Sequence, residues 1–262
     1  MTPADSAEVS SDAVPLQWKS FIRNLQTFMP SALHERRLDL QQWSDRVRRR
    51  PHEAEFFALR DLLPPDARCI DGGANRGQSI DSIHTVIGPA VRITAFEPQG
   101  TLARRLTHRY RSMPGVDIVR AGIGNESGEI TLYVPSYRRY RFDGEASADE
   151  ATAIGRLRDR LWRFDPSLVT VESEQVPIVR VDDLPWPDPV HFMKLDLQGM
   201  ELPALGGAKD LLERDKPVLM IESPDEPIMT FLDGLGYAPS YYVDGKLTSV
   251  RPPWVLNVLF VA

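Results

Sequence analysis

The chain has 262 residues, of which 42% are hydrophobic and 26% charged, and its formal net charge is −6. These are ordinary globular values, and the acidic balance argues against nucleic acid as a partner because nucleic-acid-binding proteins usually carry a basic surplus. The single cysteine excludes an internal disulfide framework, and no apolar run resembles a signal peptide or could cross a bilayer, so we expect a cytoplasmic protein without membrane insertion.

The N-terminal part of the chain is predicted to lie outside the main domain. Residues 1–14 are rich in Ser, Ala, Asp and Pro, a composition typical of a disordered tail. Residues 15–60 form a predicted helical extension, because apolar residues recur at helical spacing over 16–29 and 32–49. These helices are a candidate surface for a homo-oligomer.

Residues 61–262 alternate apolar strands with amphipathic helices, the pattern of a single α/β domain. It predicts a mostly parallel sheet of seven strands with helices on both faces and an antiparallel C-terminal strand. In chain order the predicted elements are strand ARCID, helix QSIDSIHTVI, strand RITAFEP, helix TLARRLTHRYRSM, strand VDIVRAG, the hairpin-like EITLYV, strand VHFMKLDL, helix ELPALGGAKDLL, strand KPVLMIES, helix PIMTFLDGLG, and strands PSYYVDG and VLNVLFVA.

Four acidic residues end four of these predicted strands: Asp71, Glu97, Asp196 and Glu222. In open α/β sheets, ligands bind in the crevice at the carboxyl ends of the strands. One acid at such a position is common in proteins. Four in one domain predict a cleft that faces a ligand with hydroxyl groups and positive charge.

The segment CIDGGANRGQSI, residues 69–80, closes the first strand with a glycine loop. Its spacing does not fit the dinucleotide pattern G-x-G-x-x-G, and an acid at position 71 would repel a pyrophosphate but suits an ammonium group. Glu97, after the next strand, can accept two hydrogen bonds from a ribose diol. Ribose and an amino-acid tail together describe S-adenosylmethionine. A nicotinamide-dependent oxidoreductase, which shares the sheet and the acid, remains the alternative, as does a purely structural tight turn.

Three motifs, DGGANRG, AFEP and FMKLDLQGMELPALGGA, resemble the FkbM-type branch of class I S-adenosylmethionine-dependent methyltransferases. The resemblance covers about residues 66–223 and implies a Rossmann-like methyltransferase fold. One departure stands out, because Gln198 occupies a position where the family commonly has Glu. That departure also keeps open a catalytically inactive adenosylmethionine-binding protein.

The resemblance implies roles for individual residues. Glu97 would bind the ribose, and Asp196 would lie near the sulfonium end of the cofactor. Ser79, two residues after the first motif, and Gln198, within the third, are also expected in the cofactor site. The methionine portion would be surrounded by Asp71, Gly73, Asn75 and Gly77, and the adenine would be bordered by Ala121 and Gly122.

Methyl transfer to a hydroxyl group requires a base or a metal ion near the acceptor. Asp196 is the first candidate for this work and Glu222 the second. Either could act as a general base, or the two together could hold Mg²⁺. The sequence leaves both mechanisms open, and Glu222 could also serve only as a helix cap.

Residues 135–170 form a predicted lid and substrate segment, since a long polar stretch within a compact domain is often functional. Within it Tyr137, Arg139, Tyr140 and Arg141 interleave aromatic rings with guanidinium groups. Such side chains can stack on a sugar ring or hold an anionic group. The expected acceptor is a small molecule, namely a sugar, an oligosaccharide or a glycosylated metabolite.

Overall fold

The computed structural model describes residues 25, 27–29, 31–252 and 256–262. The predicted tail 1–14 and most of the first predicted helix, 16–29, lie outside these described residues. The second predicted helix, 32–49, is confirmed as a helix that ends at Val47.

Twelve strands and eight α-helices make up the described part of the chain. The strands are β1 (Arg68–Gly72), β2 (Arg92–Phe96), β3 (Val116–Val119), β4 (Gly122–Ile123), β5 (Gly128–Tyr137), β6 (Tyr140–Arg141), β7 (Val169–Val179), β8 (Phe192–Leu195), β9 (Val218–Glu222), β10 (Ala238–Val243), β11 (Lys246–Thr248) and β12 (Asn257–Val261). The helices are α1 (Ser31–Val47), α2 (Leu59–Leu62), α3 (Gln78–Ile87), α4 (Gly100–Tyr110), α5 (Glu150–Arg160), α6 (Glu201–Gly206), α7 (Lys209–Asp215) and α8 (Glu226–Gly234). Short 3-10 helices include Ala54–Ala58 and Asp143–Glu145.

The main sheet has the strand order β11-β10-β12-β9-β8-β1-β2-β3. The strands from β9 to β3 are parallel, and β12 runs antiparallel between β9 and β10. The α/β fold class and the antiparallel C-terminal strand are therefore confirmed. The predicted number of seven strands is wrong, because Asp244 and Gly245 both have positive φ and form a tight hairpin turn that adds β11.

Helices cover both faces of the sheet, as predicted. On one face, α3 and α4 pack with the 3-10 helix Ala54–Ala58 over the sheet residues Cys69 and Ile93. On the other face, α6, α7 and α8 pack over Ile70 and Met193. The two apolar cores hold the parallel strands rigidly, so the carboxyl ends of β1, β2, β8 and β9 lie along one edge. In the described part of the chain, no helix is long and apolar enough to span a bilayer.

A second sheet, with the order β4-β7-β5-β6, supports the predicted lid segment. Strands β5 and β7 pair antiparallel from Gly128–Ile178 to Tyr137–Val169. The sequence analysis did not predict β7, because its polar half, TVESEQ, is largely solvent-facing and shows no apolar run. Between the two strands lies α5, whose N-cap Asp149 accepts a hydrogen bond from the Thr152 N–H.

The helix predicted over ELPALGGAKDLL is two helices, α6 and α7. Gly207 lies at the break, where a side chain would collide with the backbone carbonyl of Gly124. This close approach packs the break between α6 and α7 against the loop after β4. The glycine therefore serves backbone packing.

Candidate active site

The structure brings the four predicted strand-end acids to one edge of the sheet. Asp71 lies opposite Lys194 in the register of β1 and β8, and Glu97 follows β2. Asp196 follows β8, and Glu222 is the last residue of β9. The charge of Lys194 acts on three of these acids, Asp71, Asp196 and Glu222.

The glycine loop is shaped by contacts with the protein itself. Gly73 and Gly77 have φ values of 82° and 85°, in the left-handed region. A side chain at Gly73 would collide with the carbonyl oxygen of Asp196, and one at Gly77 would collide with Tyr110. Both glycines thus let the loop pack closely against the end of β8 and against α4.

Glu97 is 3% exposed and binds the glycine loop through backbone donors. The Asn75 N–H donates to one carboxylate oxygen and the Gln99 N–H to the other, each at 2.8 Å. Burial raises the pKa of Glu97 to about 7, although these two hydrogen bonds oppose the shift. Each oxygen accepts one protein hydrogen bond and retains a lone pair for a ligand.

Asp71 is fully buried beneath the loop. Its Oδ2 accepts a hydrogen bond of 2.5 Å from the Ser79 hydroxyl, which gives Ser79 a role in orienting this acid. Its Oδ1 has no hydrogen-bond partner among the residues that the structure describes. Burial raises the pKa of Asp71, and the nearby charge of Lys194 opposes that shift. The unpartnered oxygen is a suitable acceptor for a cationic ligand.

Lys194 is 6% exposed, and its Nζ lies 3.3 Å from Asp196 Oδ2. Burial lowers the pKa of Lys194, but the charges of Asp196, Asp71 and Glu53 outweigh burial and hold the pKa above its usual value. The lysine is therefore a fixed cation within a group of acids.

The carboxyl groups of Asp196 and Glu222 interact directly, and each shifts the pKa of the other. Burial raises the pKa of Asp196, but Lys194 and the Gln198 side-chain amide, which donates to Asp196 Oδ1 at 2.9 Å, outweigh burial and lower it. Burial and then the charge of Asp196 raise the pKa of Glu222 to about 7. Below about pH 7 the proton of this pair therefore lies on Glu222 and the negative charge on Asp196.

The arrangement does not fit the magnesium site that the sequence analysis considered. Within the described ranges, no group of three or more His, Cys, Asp or Glu side chains could hold a metal ion. Asp196 and Glu222 direct their oxygens at each other, at Lys194 and at an amide, and a cation there would compete with the lysine.

Replacing Gln198 by Glu is expected to raise the pKa of Asp196, since an ionised carboxylate repels Asp196 and cannot donate the amide hydrogen bond. The titration of the labelled Asp196 carboxyl carbon by NMR measures this shift. Gln198→Met is the matched variant, because it removes the donor without adding charge and should give a smaller rise. An unchanged midpoint in Gln198→Glu would contradict the assigned contact.

Glu53 is a site residue that the sequence analysis missed. It precedes the 3-10 helix Ala54–Ala58, and its charge acts on Asp71, Lys194 and Glu222. Its Oε2 is buried and has no hydrogen-bond partner in the described part of the chain. Glu53 belongs to the helical extension, which lies outside the region of family resemblance. No sequence motif therefore identifies it.

The loop after β8 is held by two further residues. Glu201 accepts hydrogen bonds from the N–H groups of Leu197 and Gly199, at 2.7 and 2.9 Å. Arg156, from α5, donates to the carbonyl oxygen of Gln198 at 2.6 Å. Gln198 itself has φ of 53°, and these contacts fix that uncommon conformation. Glu201 belongs to the quoted motif, whereas Arg156 has no signal in the sequence.

The predicted lid segment, residues 135–170, contacts the glycine loop and the residues after β2. Asp143 forms ion pairs with Arg76 at 3.3 Å and with Arg141 at 2.7 Å. Its carbonyl oxygen accepts a hydrogen bond from the Gln99 side chain at 3.0 Å. We call these contacts the Asp143 latch. The latch joins the lid to both loops that carry the predicted cofactor residues.

The predicted substrate residues have different positions. Tyr140 and Arg141 line a cavity of about 220 Å³ that also touches Asn75. Arg139 is exposed at the turn between β5 and β6. Tyr137 is only 3% exposed and stacks on Phe164 inside the lid, so its side chain supports the lid and does not reach the cavity.

Ala121 and Gly122, the predicted adenine border, are buried after β3. A side chain at Gly122 would lie 3.8 Å from Pro98, the residue after Glu97. The structure therefore places this small apolar wall beside the acid that is predicted to bind ribose.

Comparison with known proteins identifies the family to which the sequence is similar. The model of the methyltransferase FkbM domain matches residues 71–238, more than half of the chain. No curated protein matches the sequence significantly.

Among solved structures, the chain is similar to a methyltransferase FkbM from Methylobacillus flagellatus KT, with 18% identity and a TM-score of 0.50. That alignment covers 76% of this chain and 44% of the other, so this chain spans less than half of that protein's length. The chain also aligns with fibrillarin from Aeropyrum pernix in complex with S-adenosyl-L-methionine, at 13% identity and a TM-score of 0.42 over 79% of this chain and 73% of that one. Precorrin-6y C5,15-methyltransferase from Geobacter metallireducens GS-15 aligns at 17% identity and a TM-score of 0.40, over 80% and 86%.

Proposed function

The chain belongs to the FkbM methyltransferase family, and we propose that it transfers the methyl group of S-adenosylmethionine to a hydroxyl oxygen of a sugar or glycosylated small molecule. Membership of this family excludes the alternative that the chain is a nicotinamide-dependent oxidoreductase. The spacing of the glycines in the loop after β1 had already argued against that alternative. The observation that carries the proposal is the Asp196–Glu222 pair at the edge where the family motifs meet, in which the pKa of Glu222 is raised to about 7 and that of Asp196 is lowered.

The buried acids suit the charged and hydroxyl groups of this cofactor. The unpartnered Oδ1 of Asp71 would meet the ammonium group, and the free lone pairs of Glu97 would accept the ribose hydroxyls. Ala121 and Gly122 would border the adenine. Asn75 would lie between ribose and methionine, since its backbone already contacts Glu97. When bound, S-adenosylmethionine supplies an electrophilic methyl group on a sulfonium.

Glu222 is the proposed general base. The acceptor hydroxyl must lose its proton as its oxygen forms a bond to the methyl carbon and the sulfur–carbon bond breaks. Glu222, with a pKa of about 7, can accept that proton near neutral pH. The sequence analysis ranked Asp196 first, but its lowered pKa makes it the weaker base. Asp196 instead supplies a fixed negative charge near the sulfonium and keeps Glu222 basic.

The cavity beside the lid supports a carbohydrate acceptor. Tyr140 presents a half-buried ring that packs edge-on against Phe142, with centroids 4.5 Å apart. Arg141 contributes guanidinium donors at the same cavity. A ring surface next to hydrogen-bond donors can bind the apolar face and the hydroxyls of a sugar.

A methyl-transfer assay with isotopically labelled cofactor tests the proposed reaction on a panel of sugars, glycosides and matched amino sugars. The proposal predicts label on a hydroxyl oxygen of at least one sugar-bearing acceptor. Label on the amino group alone would contradict O-methylation. Cofactor binding with no turnover on any acceptor would favour the catalytically inactive binding protein.

The Asp143 latch is expected to slow cofactor exchange. Asp143→Asn removes the charge that pairs with Arg76 and Arg141, and the dissociation rate of S-adenosylhomocysteine should rise about fivefold, the equivalent of about 1 kcal/mol for a partly buried ion pair. Stopped-flow displacement measures this rate. Asp159→Asn is the control, because that residue is on the exposed side of α5 and forms its ion pair with the exposed Arg158. Equal rates in Asp143→Asn and the wild type would refute the latch.

A further inference from the structure

Helix α1 packs on the protein through its polar side. Gln42 is buried, and its side-chain amide donates to the Arg76 carbonyl at 3.1 Å and to Asp81 at 2.8 Å. Arg46 pairs with the same aspartate, and Arg109 donates to the Gln42 side-chain oxygen at 2.6 Å. A surface helix normally buries its apolar side and exposes its polar side, whereas α1 does the reverse.

The apolar side of α1 faces outward. Leu33, Leu40, Trp43 and Val47 are 52%, 64%, 60% and 61% exposed. Their spacing of seven, three and four residues places them on one face of the helix, which we call the α1 stripe. Isolated exposed apolar residues are common, but an ordered row that includes a tryptophan indicates an interaction surface.

Positive charge flanks the α1 stripe. Arg36 and Arg37 are exposed within the helix, and an exposed run of three arginines, residues 48–50, follows its end. Across residues 31–50, the arginines at 36, 37, 46, 48, 49 and 50 outnumber the acids at 35, 39 and 45, in a chain whose net charge is −6. The basic surplus is therefore local to this helix.

We propose that the α1 stripe docks the protein on an anionic lipid surface. Helices that lie in the membrane interface combine a row of Leu and Trp side chains with basic flanks and low overall hydrophobicity. Anionic lipids complement the arginines, each of which contributes an attraction near such a surface. A second copy of the chain fits less well, because symmetric pairing of the stripes would bring the arginine clusters of the two copies close together.

The side of α1 opposite the stripe borders the 220 Å³ cavity, which Leu38 lines together with Tyr140 and Arg141. Leu38 is five residues from Leu33 and two from Leu40, and at 3.6 residues per turn this spacing places it on the side of the helix away from the stripe. The stripe can therefore dock without covering the cavity, and the docking does not depend on the proposed function.

Sedimentation of the full chain with phosphatidylcholine vesicles, with and without phosphatidylglycerol, tests the docking without any activity measurement. We expect binding only to the anionic vesicles and its loss at high salt. Leu40→Ser with Trp43→Ser should abolish it. Arg48→Gln with Arg49→Gln should lower the partition coefficient about 30-fold, since each arginine contributes about a fivefold factor.

Matched controls separate docking from general effects. Trp162→Ser removes a tryptophan that is 50% exposed elsewhere, and Arg158→Gln with Arg214→Gln removes two exposed charges far from α1 in sequence. Both should bind vesicles as the wild type does. Failure of the wild type to bind anionic vesicles would overturn the proposal. So would a wild-type dimer that becomes monomeric in Leu40→Ser with Trp43→Ser, or a fall in the melting temperature of that variant with unchanged vesicle binding.

Discussion

Replacing Glu222 by Gln is expected to lower kcat for methyl transfer by about 100- to 10,000-fold, the range typical of a lost general base. Gln can still donate a hydrogen bond to Asp196, as the protonated Glu222 does, so the pair should keep its geometry. Affinity for S-adenosylhomocysteine should therefore change little. Steady-state kinetics and calorimetric titration measure the two quantities on the same preparation.

The pH dependence gives this variant a second readout. Glu222 acts as a base only when ionised, so the wild-type rate should rise as the pH increases through about 7 and then level off. In Glu222→Gln the residual rate should lack that rise. Glu226→Gln is the control, because Glu226 is an exposed residue in the first turn of α8. A Glu222→Gln enzyme with wild-type kcat would exclude the base assignment.

Replacing Gly73 by Ala is expected to destabilise the protein by about 3 kcal/mol, from left-handed strain and overpacking together. The residue has φ of 82°, and its added methyl group would collide with the Asp196 carbonyl. Neither the loop nor the end of β8 can move away without disturbing the core. The substitution should therefore lower the free energy of global unfolding. Urea denaturation measures it as a lower midpoint with an unchanged slope.

Gly155→Ala provides the control of opposite sign. Gly155 lies within α5, and a side chain there would meet nothing within 4 Å. Alanine should favour the helix by about 0.5–1 kcal/mol and raise the midpoint. A Gly73→Ala protein as stable as the wild type would mean that the loop is looser than the structure shows.

The sequence predicts most of the parallel sheet because its strands are buried on both faces and read as apolar runs. Asp71, Glu97, Asp196 and Glu222 follow such runs, so their convergence on one edge could be predicted. β7 was missed because its polar half, TVESEQ, contains no apolar run, and β11 was missed although the Asp244–Gly245 pair is a recognised hairpin signal.

The division of labour within the site could not be predicted from the sequence. Asp196 and Glu222 are both acids at strand ends, and only the contacts of Lys194 and Gln198 with Asp196 separate their pKa values. Glu53 enters from the helical extension, whose placement depends on tertiary packing such as the edge-on contact of Phe56 with Phe192. Such contacts join residues that are far apart in the chain, and no local pattern reports them.

Binding of S-adenosylhomocysteine at the carboxyl edge is the central claim, and calorimetric titration of the wild type and Glu97→Ala tests it most directly. The account predicts micromolar binding to the wild type and a loss of at least tenfold in the variant, about 1.4 kcal/mol. Since Glu97 also holds the N–H groups of Asn75 and Gln99, circular dichroism must show that the variant is folded. No heat of binding to a folded wild-type protein, or equal affinity in the two proteins, would contradict the account.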